Sequence, residues 1–535
     1  MLNWLKAIFQ KPQPSGGQAE MGGRVVRARY DSAQTTPDNA RHWQWADYLS
    51  ANASNRPEIR RVLRARARYE VANNSYARGI VLTLANDVIG SGPRLQMLLG
   101  NGENDDGENL NGLIEREFAA WAKEVDLAGK LRTMRMAKAQ DGEAFALMHT
   151  NLRLNHAVKL DLKLIEADQV ATPLMQLPTP TFVDGIVLDL YGNPESYHIL
   201  DRHPGDMVIL EPLGFHEFAA FWVLHWFRPD RPGQNRGLPD ILPALPLFAQ
   251  LRRYTLAVIA AAETAADWAG VLYTDAPANG EAEAVEPMDI IDLEKRSMLT
   301  LPGGWKMGQV DAKQPTTTYG EFKHEILNEI ARCLNMPFNI AACNSAGYNY
   351  SSGRLDHQTY YKAIRVEQSH LEATILDRIL TAWLAEATLA FGLQEHLDPA
   401  GRYSDAALAR AKRKALGGAD VVDFSHQWFW DGHEHVDPLK ESSAQAERLA
   451  NNTTTLATEY ARQGKDWETE VRQRAKEVAL MKELGLPLVA PKGAVIEPEP
   501  KPGEAPQVPN GDEGDEQDEG DSQPAGQRAG RQRAA

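Results

Sequence analysis

The sequence predicts an α+β fold, on three observations. Val158, Leu160, Leu162 and Leu164 alternate with charged or polar neighbours, the period of a half-buried strand. A run without Gly or Pro from Leu247 to Ala269 sets Leu247, Leu251, Tyr254, Val258 and Ala262 near helical period. The strand-like segments cluster ahead of that run and helices follow it, unlike the strict alternation of βαβ units.

Taken in order, residues 1–23 look loosely ordered, with Pro, Gly and Ser between Pro12 and Gly17. Arg24–Ser50 holds Trp43, Trp45 and Tyr48 and reads either as an arm on a neighbouring subunit or as a surface segment with aromatic anchors. Pro57–Ala72 is a helix with Pro in its first turn. Arg60, Arg64 and Arg68 share one face, flanked by Arg61 and Arg66. A solvated face or inter-subunit ion pairs is the preferred reading over a phosphate contact. Asn73–Asn74 turns the chain, Ser75 caps a helix to Ile89, and Gly90 and Gly92 end it. Asn101–Gly107 is a polar loop. Leu110–Val125 and Leu131–Gln140 are helices, the first with Leu113, Phe118 and Trp121 apolar. Ala144–His149 is a partner strand for 158–164. Gly185–Leu190 and Glu195–Leu200 flank Tyr191–Pro194 as a hairpin, and Asp206–Leu210 and Phe221–Trp226 extend the sheet.

Pro229, Pro232 and Pro239, with Gly233 and Gly237, make the next stretch a rigid basic loop. It feeds the long helical run, which Gly270 is expected to cap. Val271–Pro302 is short and mixed, with Glu281, Glu283 and Glu286; Leu301–Gly303 and Trp305–Val310 look like strand and turn. Tyr319–Leu334 is a second helix with Phe322, Ile326, Ile330 and Leu334 on one face, stopped by Pro337. Asn339–Arg354 reads as a loop of small and polar residues. Leu355–Phe391 is a long helix anchored at Trp383–Leu384. Ala406–Leu416, Leu439–Gln463 and Trp467–Leu484 are further helices. Pro491–Ala535 lacks core formers and is expected to be disordered.

At 535 residues, 43% hydrophobic and 24% charged, the chain has room for three or four domains and an ample core. Cys333 and Cys343 form neither a disulfide framework nor a zinc pattern, which suits a reducing cytosol. No secretory signal and no segment able to span a bilayer is expected. The net charge is −16, but Glu497–Asp521 holds ten acids and one lysine; removing that −9 leaves −7. A mildly acidic body argues against a nonspecific DNA clamp and suits a surface past which DNA slides.

Enzymatic signatures are lacking. Gly129-Lys130-Leu131 and Gly464-Lys465-Asp466 miss the Ser or Thr of a phosphate-binding loop. Gly90-Ser91-Gly92 follows a helix and lacks the further glycine of a dinucleotide fingerprint. His433-Glu434-His435 is too tightly spaced for a helical zinc motif. His426, Asp431, His433 and Asp437 as a metal set, and Asp141 with Glu143 as a two-metal nuclease pair, are weighed and set aside, the second in favour of a solvated turn. No catalytic residue, metal or cofactor is expected.

Four motifs carry a resemblance. Phe227-Arg228-Pro229-Asp230-Arg231-Pro232-Gly233-Gln234-Asn235-Arg236-Gly237, followed by the long helix, is the first. The second is Asn349-Tyr350-Ser351-Ser352-Gly353-Arg354, after Ile330-Ala331 and Met336-Pro337-Phe338. The third is Arg66-Ala67-Arg68 with Asn73–Gly79 and Val88-Ile89-Gly90-Ser91-Gly92. The fourth is His435-Val436-Asp437-Pro438-Leu439-Lys440. Together they resemble the lambda-type family of tailed-phage portal proteins across most of residues 25–480, with Gly353 where Ala is expected.

The resemblance implies a portal fold: an N-terminal arm (1–56), an α+β wing (57–240), a helical-hairpin stem (241–270 and 319–337) and a small α/β clip (271–318). A tunnel loop (338–354), a long wing helix (355–399), a helical crown (400–490) and the acidic tail (491–535) follow. It implies a non-enzymatic twelve-subunit ring at one capsid vertex of the virion, assembled in the host cytoplasm away from any membrane. The ring would channel double-stranded DNA in packaging and ejection. It would bind terminase, head–tail connector, scaffold and major capsid proteins. Arg228, Arg231, Gly233, Arg236 and Gly237 are its motif residues. Asn344, Tyr348, Asn349, Tyr350 and Arg354 are its candidate DNA contacts, and Lys306, Lys313, Lys323 and Arg332 its candidate channel rings. The alternatives are a packaging-associated ATPase or nuclease, or a capsid or tail protein without a channel.

Overall fold

The structure is a computed structural model that describes residues 36–98, 110–173, 179, 181–206, 214–266, 270–274, 305–309, 318–391, 425–432, 438–465 and 467–486. Expectations placed on residues 1–23, on Asn101–Gly107, on residues 207–210, on Leu301–Gly303, on Ala406–Leu416 and on Pro491–Ala535 lie outside the described residues, as does most of 275–317.

After a short turn, α1 (Ala51–Ser54), the helices α2 (Pro57–Asn73) and α3 (Ser75–Ile89) form a pair broken by Asn74, whose side chain accepts from the N–H groups of Tyr76 and Ala77. Asn74, not Ser75, is therefore the cap. Strand β1 (Arg94–Met97) leads to α4 (Leu110–Glu124) and α5 (Leu127–Asp141). The α5 helix starts four residues earlier than its apolar pattern suggests, because Asp126 caps it through Gly129 N.

Strands β2 (Glu143–Thr150) and β3 (Leu160–Ile165) are antiparallel. Next come β4 (Phe182–Val183), β5 (Ile186–Leu188), β6 (Pro194–Leu200), β7 (Phe215–Ala219) and β8 (Val223–Phe227). They make two antiparallel sheets, in orders β3-β2-β8 and β4-β5-β6-β7. The hairpin expected at Tyr191–Pro194 is the β5–β6 connection. Strand β2 separates two cores: Ala144, Ala146 and Met148 face the main one, and Phe145 faces a smaller one with Ile165, Ile186, Tyr197 and Val223.

Helix α6 (Leu245–Ala266) is followed by β9 (Gly270–Thr274), which pairs antiparallel with β10 (Trp305–Gln309) ahead of α7 (Thr318–Arg332). Gly270 thus opens a strand rather than capping the helix. The buried side of α7 is Leu327, Ile330 and Ala331, while Phe322, expected on that side, is half-exposed and meets Tyr254 of α6.

The loop expected over Asn339–Arg354 is shorter. A turn of helix, α8 (Phe338–Ala341), follows Pro337, and α9 (Tyr350–Leu371) begins inside the expected loop because Asn349 caps it through Ser352 N at 2.8 Å. A π-helical turn, Glu372–Leu376, joins α9 to α10 (Asp377–Ala390) as one long helical run. Strand β11 (His426–Phe429), which periodicity does not suggest, pairs with β1 more than three hundred residues away. Helices α11 (Pro438–Ala450) and α12 (Leu456–Arg462) split the expected Leu439–Gln463 helix at residues 451–455. The chain divides into two units, and the second, from Glu468, is described by α13 (Trp467–Glu483).

The main core closes on aromatic rings. Phe118 sits 5.3 Å from both Trp121 and Trp383 and 5.6 Å from Trp428 of β11. Trp121 donates to Leu160 O at 2.8 Å. Trp428 and His426 both bond Asp377, so β11 is tied to α10 by polar contacts as well as rings. Among the described residues no helix is long and apolar enough to cross a membrane.

Removing Trp383, fully buried among these rings, leaves a large void. Trp383→Ala is expected to cost about 3–5 kcal/mol. Trp45→Ala, at a position 85% exposed, is expected to stay within about 0.5 kcal/mol of the parent. Urea unfolding followed by circular dichroism checks the pair.

Candidate functional site

The basic loop between β8 and α6 is held by its own arginines and by the arm before α2. Gln234 folds its amide over the turn, accepting from Asp230 N and Arg231 N and donating to Arg236 O. Asn52 accepts from Asn235 N and donates to Gly233 O; Asn55 donates to Arg236 O. Arg231 reaches Ser54 Oγ and Leu49 O. Gly233 has φ of +74°, a left-handed conformation that favours glycine.

At the end of this loop Arg236 turns inward, 1% exposed. Its Nε and Nη2 meet Glu143 at 2.7–3.0 Å, and its remaining N–H groups go to Ala167 O, Val170 O and Asp184. Glu143 also takes Arg64 of α2, His225 Nε2 at 3.0 Å and Gly237 N at 3.0 Å. A Cβ on Gly237 would lie 2.0 Å from Gly142 O, so only glycine lets the loop backbone come close enough to bond Glu143. Burial alone would raise the Glu143 carboxyl; Arg236, the His225 bond and Arg64 outweigh it and hold it well below the usual carboxylate range.

This corrects two expectations. The arginine face of α2 is neither solvated nor aimed at a partner: Arg60 pairs with Asp184, Arg64 with Glu143 and Asp168, and Arg68 with Asp141 and Asp168. Asp141 and Glu143 are neither a solvated turn nor a metal pair, because guanidinium groups take both. The buried histidine completes the cluster. Burial lowers His225, so it is neutral, donates to Glu143 and accepts through Nδ1 from Tyr197 OH at 3.4 Å.

A second charge cluster fastens the other end of the loop. Asp240 takes Arg135 at 3.0 Å and Arg228 at 3.4 Å, and Glu367 of α9 takes Arg135 at 2.8 Å and Lys138 at 2.6 Å. Burial would raise Asp240, but Lys138, Arg135 and Arg228 bring it below its ordinary value. Loop, α5 and α9 are therefore one electrostatic unit. Its two carboxylates escaped notice in the sequence because each is a single acid without a motif, Asp240 in a turn and Glu367 in a helix; of this cluster only the loop's Arg228 stood out.

The other candidates are dispersed. Lys306 is exposed on β10, and Lys313 lies outside the described residues. Lys323 is half-buried with Nζ 4.9 Å from the Tyr76 ring and 5.9 Å from Tyr319, a cation–π site rather than an open charge. Arg332 is exposed and bonds Asn335. Asn344 is exposed and accepts from Ala346 N. Tyr348 packs half-buried on the main core, and Asn349 is a helix cap. Tyr350 is the first residue of α9, and Arg354 is exposed one turn on. A Cβ on Gly353 would sit 3.6 Å from Tyr348 Cδ1, an ordinary contact, so the expected alanine fits there. His426 and Asp431 bond Asp377 and Ser91 instead of each other, and His433 and Asp437 lie outside the described residues. Glu166, Asp168 and His203 converge as a metal site might, yet Arg64 and Arg68 both hold Asp168 at 2.8 Å.

Replacing Glu143 with Gln leaves Arg64 and Arg236 buried without their shared anion, which is expected to cost about 3–5 kcal/mol, read as a lower thermal midpoint. The pH dependence has a definite sign. His225 is lowered in the fold, so protonation favours the unfolded chain as pH falls through about 6.5. Glu143 and Asp240 are also lowered, and their stabilisation is lost at still lower pH. Thermal midpoints measured from pH 8 to 4 should decline below pH 7, and His225→Gln should flatten the upper part of that decline.

Residues 36–368 match the family described as phage portal protein, lambda family. The probable portal protein of Halomonas phage phiHAP-1 is 25% identical over 449 residues, covering 79% of this chain and 81% of the relative. Among solved structures, a chain from the neck of an empty gene transfer agent particle computed with C6 symmetry aligns over 65% of this chain and 91% of its own, at 13% identity and a TM-score of 0.40. One from the native particle's neck computed with C12 symmetry aligns over 68% and 94%, at 14% identity and a TM-score of 0.37. The family match takes in the loop, both charge clusters and most of α9, and it covers more than half of the sequence: the chain belongs to the lambda family of phage portal proteins.

Proposed function

We propose that the chain is the subunit of a portal ring, about twelve copies around a channel for double-stranded DNA, at the capsid vertex where terminase docks during packaging and connector proteins dock afterwards. Family membership supports the reading, and one structural observation gives it a residue-level form. Helix α7 presents Glu321, Glu325 and Glu329 on an exposed face at four-residue spacing. Its other side packs on α6 through Tyr254 against Tyr319 and Phe322, at 5.7 and 4.8 Å, and through Tyr319 OH donating to Thr255.

In this reading α6 and α7 are the stem, and β9 and β10 begin the clip. Residues 342–349 are the tunnel loop, the sheets and α2–α5 are the wing, and 400–490 are the crown. Repeated around a ring, the α7 carboxylates make an acidic wall that repels phosphate, so DNA passes without adhering. Of the cations expected as channel rings, Lys323 is engaged with aromatic rings, and Lys306, Lys313 and Arg332 stay candidates for local brakes beside this carboxylate face. A closed ring of identical chains is heterologous, so each subunit meets its neighbours with two unlike faces.

Sedimentation of the purified chain tests assembly: a single large species near twelve chains is expected, and a stable monomer at micromolar concentration would sink the reading. Charge reversal tests the channel. Glu321→Lys, Glu325→Lys and Glu329→Lys together should leave ring size unchanged and reduce packaged DNA at least about tenfold, by slowing a duplex that now adheres to the wall. Normal packaging would place the duplex elsewhere.

A further inference from the structure

Helix α9 carries the opposite charge on one exposed face. Arg354, Gln358, Lys362, Arg365 and Ser369 follow one another at i, i+4, i+8, i+11 and i+15 and are exposed, a spacing that keeps them on one side of the helix. Lys362, Arg365, Gln358 and Ser369, with Val366, also line an open depression. Among the described residues none of the three cations has a carboxylate partner; Arg365 bonds only Tyr361 O one turn back. The acids of α9 are placed otherwise. Glu367 points to Arg135 and Lys138, and Asp356 falls two residues from Arg354, on the far side of the helix.

The three cations gather on one outer face of one helix, whereas Arg60, Arg64, Arg68, Arg135, Lys138 and Arg236 are neutralised by carboxylates inside a chain of −16 net charge. From Arg354 to Arg365 the helix rises about 16 Å, enough to meet several backbone phosphates of one duplex. Gln358 and Ser369 add neutral hydrogen-bonding groups that contact phosphate or sugar without selecting sequence.

We infer that this face of α9 is a sequence-independent contact for the phosphate backbone of double-stranded DNA, separate from the residue 342–349 loop. The duplex is the packaged DNA of the portal reading, on which the inference rests for its partner. Acidic α7 and basic α9 then divide the work: one wall repels the duplex, and the other holds it briefly. The attraction is electrostatic and is weakened by salt.

The test is fluorescence anisotropy of a labelled 30-base-pair duplex with the full-length protein, in 50 and 200 mM salt. The triple variant Arg354→Gln, Lys362→Gln, Arg365→Gln should lose at least about tenfold in affinity at the lower salt, with the salt slope smaller by about three. The charge-keeping variant Arg354→Lys, Lys362→Arg, Arg365→Lys should bind like the parent, and Lys323→Gln should change nothing. Circular dichroism and sedimentation accompany each variant. Failure of the parent to bind, or equal binding by the triple variant, overturns the inference. So does a folded triple variant that no longer assembles, which would make the face a contact between copies. A parent that never forms rings but binds DNA through these three residues would instead contradict the portal reading and leave the contact standing.

Discussion

Glu143 is the constraint on which the rest of the described structure depends. One fully buried carboxylate receives Arg236 from the loop, Arg64 from α2, His225 from β8 and the Gly237 N–H at a backbone crossing. A buried ion is costly unless its lone pairs are filled. Four donors from three segments, the loop supplying two of them, fill these, and each is held by further contacts of its own. Moving any one of them exposes an unpaired charge. The loop is therefore rigid for a reason beyond its prolines, and its rigidity fixes where α6 starts.

The same economy of charge explains the surface. Arg60, Arg64, Arg135 and Arg236 are consumed internally, while two exposed helix faces segregate sign: carboxylates on α7, cations on α9. Glu367 connects the two schemes, because it lies on α9 but faces the inner cluster with Arg135 and Lys138. Its position means that the outward cations of α9 are held at a set angle to the loop.

Much of this was legible in the sequence, and the misses have physical causes. The long helices and the central hairpin were visible because period and turn chemistry are local. The loop motif stood out through its prolines, glycines and arginines. The arginine face of α2 was misread because helical spacing says that residues share a side, not whether that side is covered; its partners Glu143, Asp168 and Asp184 lie 79 to 124 residues away in the chain. Strand β11 was missed because four residues carry too little period, and its pairing with β1 is decided by Trp428 against Phe118 and Asp377. The long loop at Asn339–Arg354 shrank because Asn349, read as a loop residue, is a cap. The α9 stripe was hidden in a helix judged only for its apolar anchor.

An electron-microscopy reconstruction of the purified protein, at a resolution that shows side chains, tests the central claim most directly. The account predicts a closed ring with a central channel, the Glu321, Glu325 and Glu329 face of α7 turned toward the axis and the Glu143–Arg236 cluster intact inside each subunit. A ring with that face buried between subunits, or particles without a channel, would contradict it.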